Sequence, residues 1–526
     1  MTTERREGRG TASTEGRGAN RVAGGIFVSR VLGLVRDRAF AYYFGSSDFA
    51  DAWRAALRTP NVVQNLLGEG TLSASLVPVY SEMVEQGREA EAGRFAGAAL
   101  GILTVVAASA VLVGWTLAPA IVSLFFPTWD PAKQTLTTTL VRILFPMTGI
   151  LVLSAWALGI LNSHRRFFVS YVAPAFWNVA MITAMVGGAV AFGLEGEDLV
   201  VALAWGALAG GGLQLGWQVP FLFRHLKGFV PSVRWSVKGV PEAVRNFVPV
   251  VAARGVVNVS GWIDLILAGR LTGGAVAVLG YAQTFYMLPI SLFGMSIAAS
   301  ELPELSRMRG EAQRVVADRV SSALVRVSYF LVPSVVLYVT MGDVVVAALY
   351  QTGAFGAPET LVTWAVLAGY ALGLPASAGS RLLSSAFYAL RDARTPARIA
   401  YVRVLVSTVT GVVLMIPLDR LGFESLRLGA AGLALGASVG AWLEYVLLRR
   451  SLGARVGTHG PGTGPVVGFA FAAAIAAAVA AALQGWVGGW HPVLAAAATL
   501  VPAGLAYMAI VWAVEGRHPG SNGARG

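Results

Sequence analysis

Charged side chains stand inside the first long apolar stretch of this 526-residue chain, in Ser29-Arg-Val-Leu-Gly-Leu-Val-Arg-Asp-Arg38. A charge in hydrocarbon costs a few kcal/mol, about 2.5 to 3.5 on insertion scales, so each needs a partner or water. A guanidinium cannot be neutralised by deprotonation and pairs bidentately with phosphate, so the chemistry on offer is anion binding. On a helix, Arg30 and Asp37 share a face with small Gly33 between them, while Arg36 lies about 100° round from Asp37. In the next apolar stretch Arg58, Asn61, Asn65 and Glu69, at steps of three, four and four, form one narrow stripe. Interhelical hydrogen bonding accounts for Asn61 and Asn65 but leaves the arginines unexplained. The seventh stretch adds Arg254, Asn258 and Asp264. Arg254 and Asp264 are about 15 Å apart along a helix and about 80° apart around it, which excludes pairing within that helix. Weighted toward arginine, this set suits an anionic substrate such as a pyrophosphate, whereas a site for hydrophobic cations would be dominated by carboxylates and aromatics. Arg142, Arg270, Arg381 and Arg403 lie nearer segment ends, where snorkelling explains them without a further role.

The elements that must carry these residues are membrane helices. Only 13% of residues are charged against 56% hydrophobic, and the mean hydropathy is +0.65; a soluble chain would have about a quarter charged. Apolar segments of bilayer-crossing length are expected near 22–44, 58–80, 95–118, 137–161, 169–192, 199–223, 246–270, 276–300, 327–348, 361–384, 399–418, 428–448, 464–484 and 492–514. The fold expected is therefore all-α and polytopic, with about fourteen transmembrane helices. Cysteine is absent, and the five histidines have no ligand-like spacing, so no metal site or cofactor is expected. The net charge of +12 is broken into small clusters between apolar runs rather than laid along a soluble face, which argues against nucleic acid as a partner. Residues 1–21 form a basic tail with no apolar core of a cleavable leader.

Basic residues sort by loop. With the N-terminus inside, 27 of the 40 Lys and Arg fall in inside tails and loops and four in outside loops. Both termini are then expected to be cytoplasmic, with Glu195 to Asp198 outside. A weak internal repeat sets Ser75, Pro78, Ser81 and Met83 over Ser300, Pro303, Ser306 and Met308, and Asn162-Ser-His-Arg165 over Tyr388-Ala-Leu-Arg391. Each copy spans six helices, an even number, which implies two parallel lobes with a substrate path between them. The expected organisation is a tail at 1–21, six-helix lobes at 22–224 and 240–450, two extra helices at 464–514 and a cytoplasmic tail at 515–526.

Several blocks resemble one family. Ser29-Arg-Val-Leu-Gly-Leu-Val-Arg-Asp37, the Phe49-Ala-Asp-Ala-Trp53 turn, Thr59-Pro-Asn61 and Gly68-Glu-Gly-Thr-Leu-Ser-Ala-Ser-Leu-Val-Pro78 look like the N-terminal signature of the MurJ/MviN lipid II flippases. Tyr350-Gln-Thr-Gly-Ala-Phe355 and Phe387-Tyr-Ala-Leu-Arg-Asp-Ala-Arg-Thr-Pro396 resemble second-half motifs in the same order. The resemblance runs to about residue 450. It implies the fold of the multidrug/oligosaccharidyl-lipid/polysaccharide exporters, two six-helix lobes plus two C-terminal helices. It also implies flipping of lipid II, the undecaprenyl-pyrophosphate-linked disaccharide-pentapeptide, from inner to outer leaflet of the bacterial plasma membrane by alternating access through an arginine-lined central cavity. Membrane lipids and cell-wall synthesis proteins are the further partners it implies. Carried over by motif, the substrate-binding positions are Arg30, Arg36, Asp37, Asp51, Asn61 and Glu69, with Arg58 where a basic residue is usual. The chain departs from many relatives at Gln64, where arginine is common, and at Tyr281-Ala-Gln-Thr-Phe285, where they carry an Asp-Arg pair. Arg254, with Asp264 on the same helix, is the candidate to replace that charge.

Fold alone does not fix a substrate, so an exporter of another polyprenyl-linked glycan or of drugs is the nearest alternative. A polytopic enzyme acting on lipid-linked sugars would need carboxylates or a histidine base on an outer loop. The longest outside loop expected, Gly342 to Thr360, offers only Asp343 and Glu359, and a non-enzymatic role is expected. A scaffold that transports nothing would not need the arginines.

Overall fold

The computed structural model describes residues 24–25, 27–307, 313–423 and 426–515, and these are almost wholly helical. Helix α1 covers 27–44. It is followed by α2 (Asp48–Leu67), α3 (Glu69–Glu85), α4 (Glu89–Phe125), α5 (Pro131–Ser163), α6 (Phe167–Phe192), α7 (Gly196–Phe223) and α8 (Val240–Ala268). Helix α9 (Ala275–Pro289) runs through a π-helical turn, Ile290–Gly294, into α10 (Met295–Arg307). Then come α11 (Gln313–Tyr350), α12 (Ala357–Ala371), α13 (Leu374–Ala389), α14 (Arg394–Leu418), α15 (Gly429–Val456), α16 (Thr463–Gln484) and α17 (Pro492–Glu515). Gly422–Phe423 and Leu426–Arg427 pair antiparallel between α14 and α15. The basic tails, apart from Glu515, lie outside the described residues, as do Met308 and the side chains of Pro303, Ser306, Arg254 and Asn258.

Eleven spans among the described residues are long and apolar enough to cross a membrane, with α9 to α10 and α12 to α13 each counting once. The other three expected crossings correspond to α1, α2 with α3, and α8, the helices that carry the internal charges.

Several expected boundaries are corrected. The segment expected at 58–80 is two helices: α2 starts ten residues earlier and ends at Leu67, and Gly68 is extended at φ −85° and ψ −158°. The break needs glycine, because a Cβ on Gly68 would lie 2.3 Å from the Gln64 carbonyl oxygen. Phe49 to Trp53, expected as a turn, lies within α2, whose first turn holds Asp48 and Asp51 where the helix dipole favours carboxylates. The Gly342 to Thr360 loop shrinks to 351–356, because α11 persists to Tyr350 across a kink at Met341 and α12 begins at Ala357. The 361–384 helix divides into α12 and α13 at Leu372 and Gly373.

By their contacts the residues form two units, one holding α1 with Asp48–Trp262, the other Gly45–Ser47 with everything from Ile263. The division falls inside α8 rather than in the expected linker at 225–239.

In lipid, helices gain little from hydrophobic burial against one another, so close packing through small residues decides which surfaces meet. In the first unit α3, α4 and α5 meet around Leu76, Tyr80, Phe95, Trp156 and Ile160. Gly93, Gly97 and Gly101, spaced one helical turn apart on α4, receive not a helix but the non-helical segment 227–232. Cβ atoms there would fall 1.9, 2.2 and 2.1 Å from the carbonyl oxygens of Lys227, Val230 and Ser232. Ser232 N also donates to the Gly97 carbonyl at 3.3 Å. Gly97→Leu is expected to expel this segment, read as faster proteolysis within 224–239 with α-helical content unchanged; parental cleavage rates would count against the glycine groove.

In the second unit α11, α13 and α15 share a core of Leu324, Leu331, Leu382, Phe387 and Leu448. Helices α16 and α17 pack on α11 through Phe469, Ala473 and Ala503, and Tyr507 donates to the Tyr329 carbonyl at 2.7 Å. Arg403, expected to snorkel, instead donates from α14 to Glu444 on α15 at 2.7 Å, and Arg142 lies 4.9 Å from the Trp115 ring centroid. Cations expected in an inside loop are helical: Arg319 and Arg326 of α11 both bind Glu301 of α10, the former at 2.7 Å.

The internal repeat has a backbone counterpart. Arg165 and Arg391 have φ of 56° and 60°, and no other described non-glycine residue is positive. Each closes a helix in the same way: Arg166 N donates to Leu161 O and Arg165 N to Asn162 O, while Asp392 N donates to Phe387 O and Arg391 N to Tyr388 O. These are Schellman caps with arginine in the position glycine usually takes. In the second unit Asp392 also accepts from Arg394 N, Thr395 N and Thr395 Oγ1 and binds Arg455 at 2.5 Å. The Thr395 bonds foremost, with Arg455, hold its carboxyl well below the usual carboxylate range.

Candidate functional site

Helix α1 can hold its charges because a neighbouring helix receives one of them. Arg36 Nη2 and Nε donate to Asp37 Oδ1 at 2.7 and 3.0 Å, and Nη1 donates to Asn178 Oδ1 on α6 at 2.9 Å. Asn178 Nδ2 in turn donates to the carbonyls of Ser29 and Pro174, both at 3.3 Å. The guanidinium carbon lies 5.4 Å from the Trp177 ring centroid, within cation–π range. Asp37 is 8% exposed and Asn178 5%. Asp37, expected to share a face with Arg30, is held by its sequence neighbour Arg36, and Arg30 is exposed on α1.

On α2, Arg58 and Asn65 are exposed and Asn61 is half-buried. Glu69 leaves their stripe, since it opens α3 beyond the extended Gly68. Arg58 reaches α8, where a Cβ on Gly261 would sit 2.0 Å from its Nη2, so the missing side chain at 261 is what makes room for the guanidinium. Asp264 is half-buried on α8, and the Arg254 side chain lies outside the described residues.

Asp51 is placed differently from the rest. It is 2% exposed and bound at 2.8 Å by Lys133 Nζ of α5, which also binds Asp48 at 2.5 Å and lies 4.3 Å from the Trp129 ring centroid. In this structure the Asp51 carboxylate is enclosed and joins α2 to α5 through Lys133.

Three polar groups went unremarked in the sequence. Asn178 and Lys133 are partners of expected site residues, and Gln218, fully buried on α7, accepts from Ser154 Oγ at 2.9 Å while Gln214 donates to that same oxygen at 3.0 Å. In the second unit the Gln283-Thr284 departure is part of a neutral network. Gln283 donates to Tyr370 OH at 3.1 Å, and Tyr286 OH and Ser377 Oγ are 2.8 Å apart. Among the described residues no three His, Asp or Glu converge as a metal site would require.

Chemically, the first unit offers guanidinium groups on α1 and α2, one of them fixed in direction by a carboxylate and an amide. That arrangement can bind and orient an anion. Comparison with known proteins agrees in family. A family model described as lipid II flippase MurJ matches residues 40–498. A lipid II flippase MurJ of Burkholderia cenocepacia is 31% identical over 461 residues, covering 84% of each chain. A probable lipid II flippase MurJ of Rhizobium tropici is 30% identical over 439 residues, covering 81% of this chain and 79% of the relative. Among solved structures, a lipid II flippase MurJ in an inward closed conformation superposes with TM-score 0.73 at 22% identity, over 94% of this chain and 98% of that one. An inward-facing multidrug transporter of the MATE family gives 0.65 at 16%, over 81% and 94%; these two likenesses concern the fold.

Proposed function

This chain belongs to the lipid II flippase MurJ family, and from that premise we propose that it moves lipid II from the cytoplasmic to the outer leaflet of the bacterial plasma membrane by alternating access. The observation that carries the reading to particular residues is the seat of Arg36. A guanidinium that Asp37, Asn178 and Trp177 hold in one direction, with its side chain still 24% exposed, keeps N–H groups that can turn to an arriving anion. In this reading Arg30, Arg36 and Arg58 attract the pyrophosphate, Asp37 and Asn178 position Arg36, and Asn61 and Glu69 face the sugar or peptide portion. Arginine suits the task because it stays charged when partly desolvated and grips two phosphate oxygens at once. Net movement requires that the grip be released, and the same guanidinium returns to Asp37 when the ligand leaves. Asp51 acts at one remove, by fixing α2 to α5 through Lys133.

Purified protein in proteoliposomes is expected to expose labelled lipid II to an external probe, and the gene is expected to rescue a flippase-depleted strain. Lipid II that stays in its original leaflet, with folded protein present, would remove the reading. Movement of another polyprenyl-linked glycan in its place would redirect the substrate within the same fold.

Orientation is tested separately. The chain has no cysteine, so an introduced Asp198→Cys is expected to react with an impermeant maleimide from outside the cell and not from the cytoplasm. The reverse labelling pattern would invert the topology.

Arg254 belongs to the same proposal, as the cation of α8 that offsets the neutral Gln283-Thr284 pair. Arg254→Ala is expected to weaken lipid II binding about tenfold or more, the order of one charge-assisted hydrogen bond. Unchanged binding and flipping in a variant of normal stability would end that assignment.

A further inference from the structure

Outside the α1–α2 region, a cavity of 430 Å³ opens at the C-terminal end of α15, lined by Tyr445, Val446, Arg449, Arg450, Thr458 and His459. Helix α15 ends at Val456, and the chain turns away through Gly457 at φ +86° into a glycine-rich link that reaches α16 at Thr463. Arg449 braces this link: its Nε donates to the His459 carbonyl at 3.0 Å, and a Cβ on Gly460 would lie 2.3 Å from its Nη2. Gly460 N donates to Ser321 Oγ of α11 at 3.0 Å, so the link is held on both sides. Arg450, the next residue, is exposed.

His459 is 5% exposed, and its Nδ1 lies 3.0 Å from the Gly457 carbonyl. A carbonyl only accepts, so Nδ1 carries the hydrogen. Burial foremost, together with the charge of Arg449, holds the imidazole below the usual histidine range, which leaves Nε2 as a bare acceptor. Among the described residues no group meets that nitrogen. Buried acceptors are ordinarily satisfied, so an unmet one on a residue that lines a cavity asks for a donor from elsewhere.

We propose that this cavity binds a phosphate-bearing ligand, the two guanidinium groups taking phosphate oxygens and His459 accepting from a hydroxyl on the same molecule. Its setting favours a phospholipid headgroup as the source. Helix α15 is long and apolar enough to cross a bilayer, and Val446 is exposed one turn before Arg450. The loops on that side carry most of the chain's cations, and basic pockets at cytoplasmic helix ends commonly take anionic headgroups. A glycerol phosphodiester supplies both the phosphate and the hydroxyl; a choline headgroup supplies the phosphate without the donor.

The test is thermal unfolding of the purified full-length protein with phosphatidylglycerol, phosphatidylcholine or inorganic phosphate, compared with an Arg449→Gln/Arg450→Gln double variant. Phosphatidylglycerol is expected to raise the parental midpoint, phosphatidylcholine to raise it much less, and the double variant to lose most of the rise. An equal rise with inorganic phosphate, lost in the double variant, would support the site and assign it to free phosphate. Because Arg449 also braces the link, Arg450→Gln alone separates folding from binding. It should melt like the parent without lipid and need about tenfold more phosphatidylglycerol for half the rise. No rise from either phosphate source, or a rise that both variants keep in full, would overturn the proposal.

Discussion

Replacing Arg30 or Arg36 with alanine is expected to cut lipid II translocation by about ten- to a hundred-fold, the loss of an interaction with a charged group of about 1.5–3 kcal/mol. The two variants should differ in their side effects. Arg30 is exposed on α1, so Arg30→Ala should accumulate and melt as the parent does. Arg36 also neutralises Asp37, which is 8% exposed, so Arg36→Ala leaves a largely buried carboxylate without its cation and should lower stability as well. The double variant Arg36→Ala/Asp37→Asn removes that carboxylate charge. If it recovers stability but not translocation, Arg36 works on the substrate; if it recovers both, Arg36 serves only to accompany Asp37. Arg36→Lys adds a finer test, since it keeps the charge and loses the two-pronged grip on phosphate, and it should remain well below parental activity. Alanine variants of both arginines that accumulate normally and still rescue a depleted strain would refute the anion-binding role of α1.

What could be read from the sequence followed the physics of the bilayer. A charge in hydrocarbon is costly wherever it stands, so α1 and α2 stand out without knowledge of any partner, and the eleven long apolar spans are visible from length and composition. Partners were not visible. Asn178 is 142 residues from Arg36 and Lys133 is 82 from Asp51, and no local periodicity links such pairs. Asn178 did leave a trace, a lone amide in the apolar run Ala175-Phe-Trp-Asn-Val-Ala-Met181. The break at Gly68 is hidden in the sequence because glycine is common in membrane helices and the apolar pattern continues on both sides, so periodicity alone puts Glu69 on the α2 stripe. The repeat was legible at one turn, Arg165 over Arg391, since a shared cap geometry constrains few residues but constrains them tightly. The glycines of α4 give no hint that a non-helical segment, rather than a helix, fills their groove, because close approach of any backbone imposes the same requirement.

Lys133→Met is expected to be the most destabilising single change in the first unit, by about 3–5 kcal/mol, the cost of removing one partner from a buried ion pair. Its ammonium is almost enclosed, with side-chain exposure of 6%, and Asp51 across from it is 2% exposed. Methionine fills a similar volume, so the loss is electrostatic and not a cavity. Asp51 then keeps its burial and loses its cation, a position in which a carboxylate either takes up a proton or draws water into the helix contact. Asp48 matters less, because its side chain is 62% exposed and water can replace the lysine. A double-mutant cycle isolates the pair: Asp51→Asn/Lys133→Met should regain most of the stability lost by Lys133→Met, since neither charge then remains. The same cycle decides the role of Asp51. If Asp51 ties α2 to α5, then Asp51→Asn and Lys133→Met lower the unfolding midpoint, the double variant recovers it, and translocation follows stability in all three. If Asp51 contacts the substrate, Asp51→Asn abolishes translocation at a parental midpoint and the double variant stays inactive. A Lys133→Met protein as stable as its parent would show that the enclosed pair contributes nothing to holding α2 against α5.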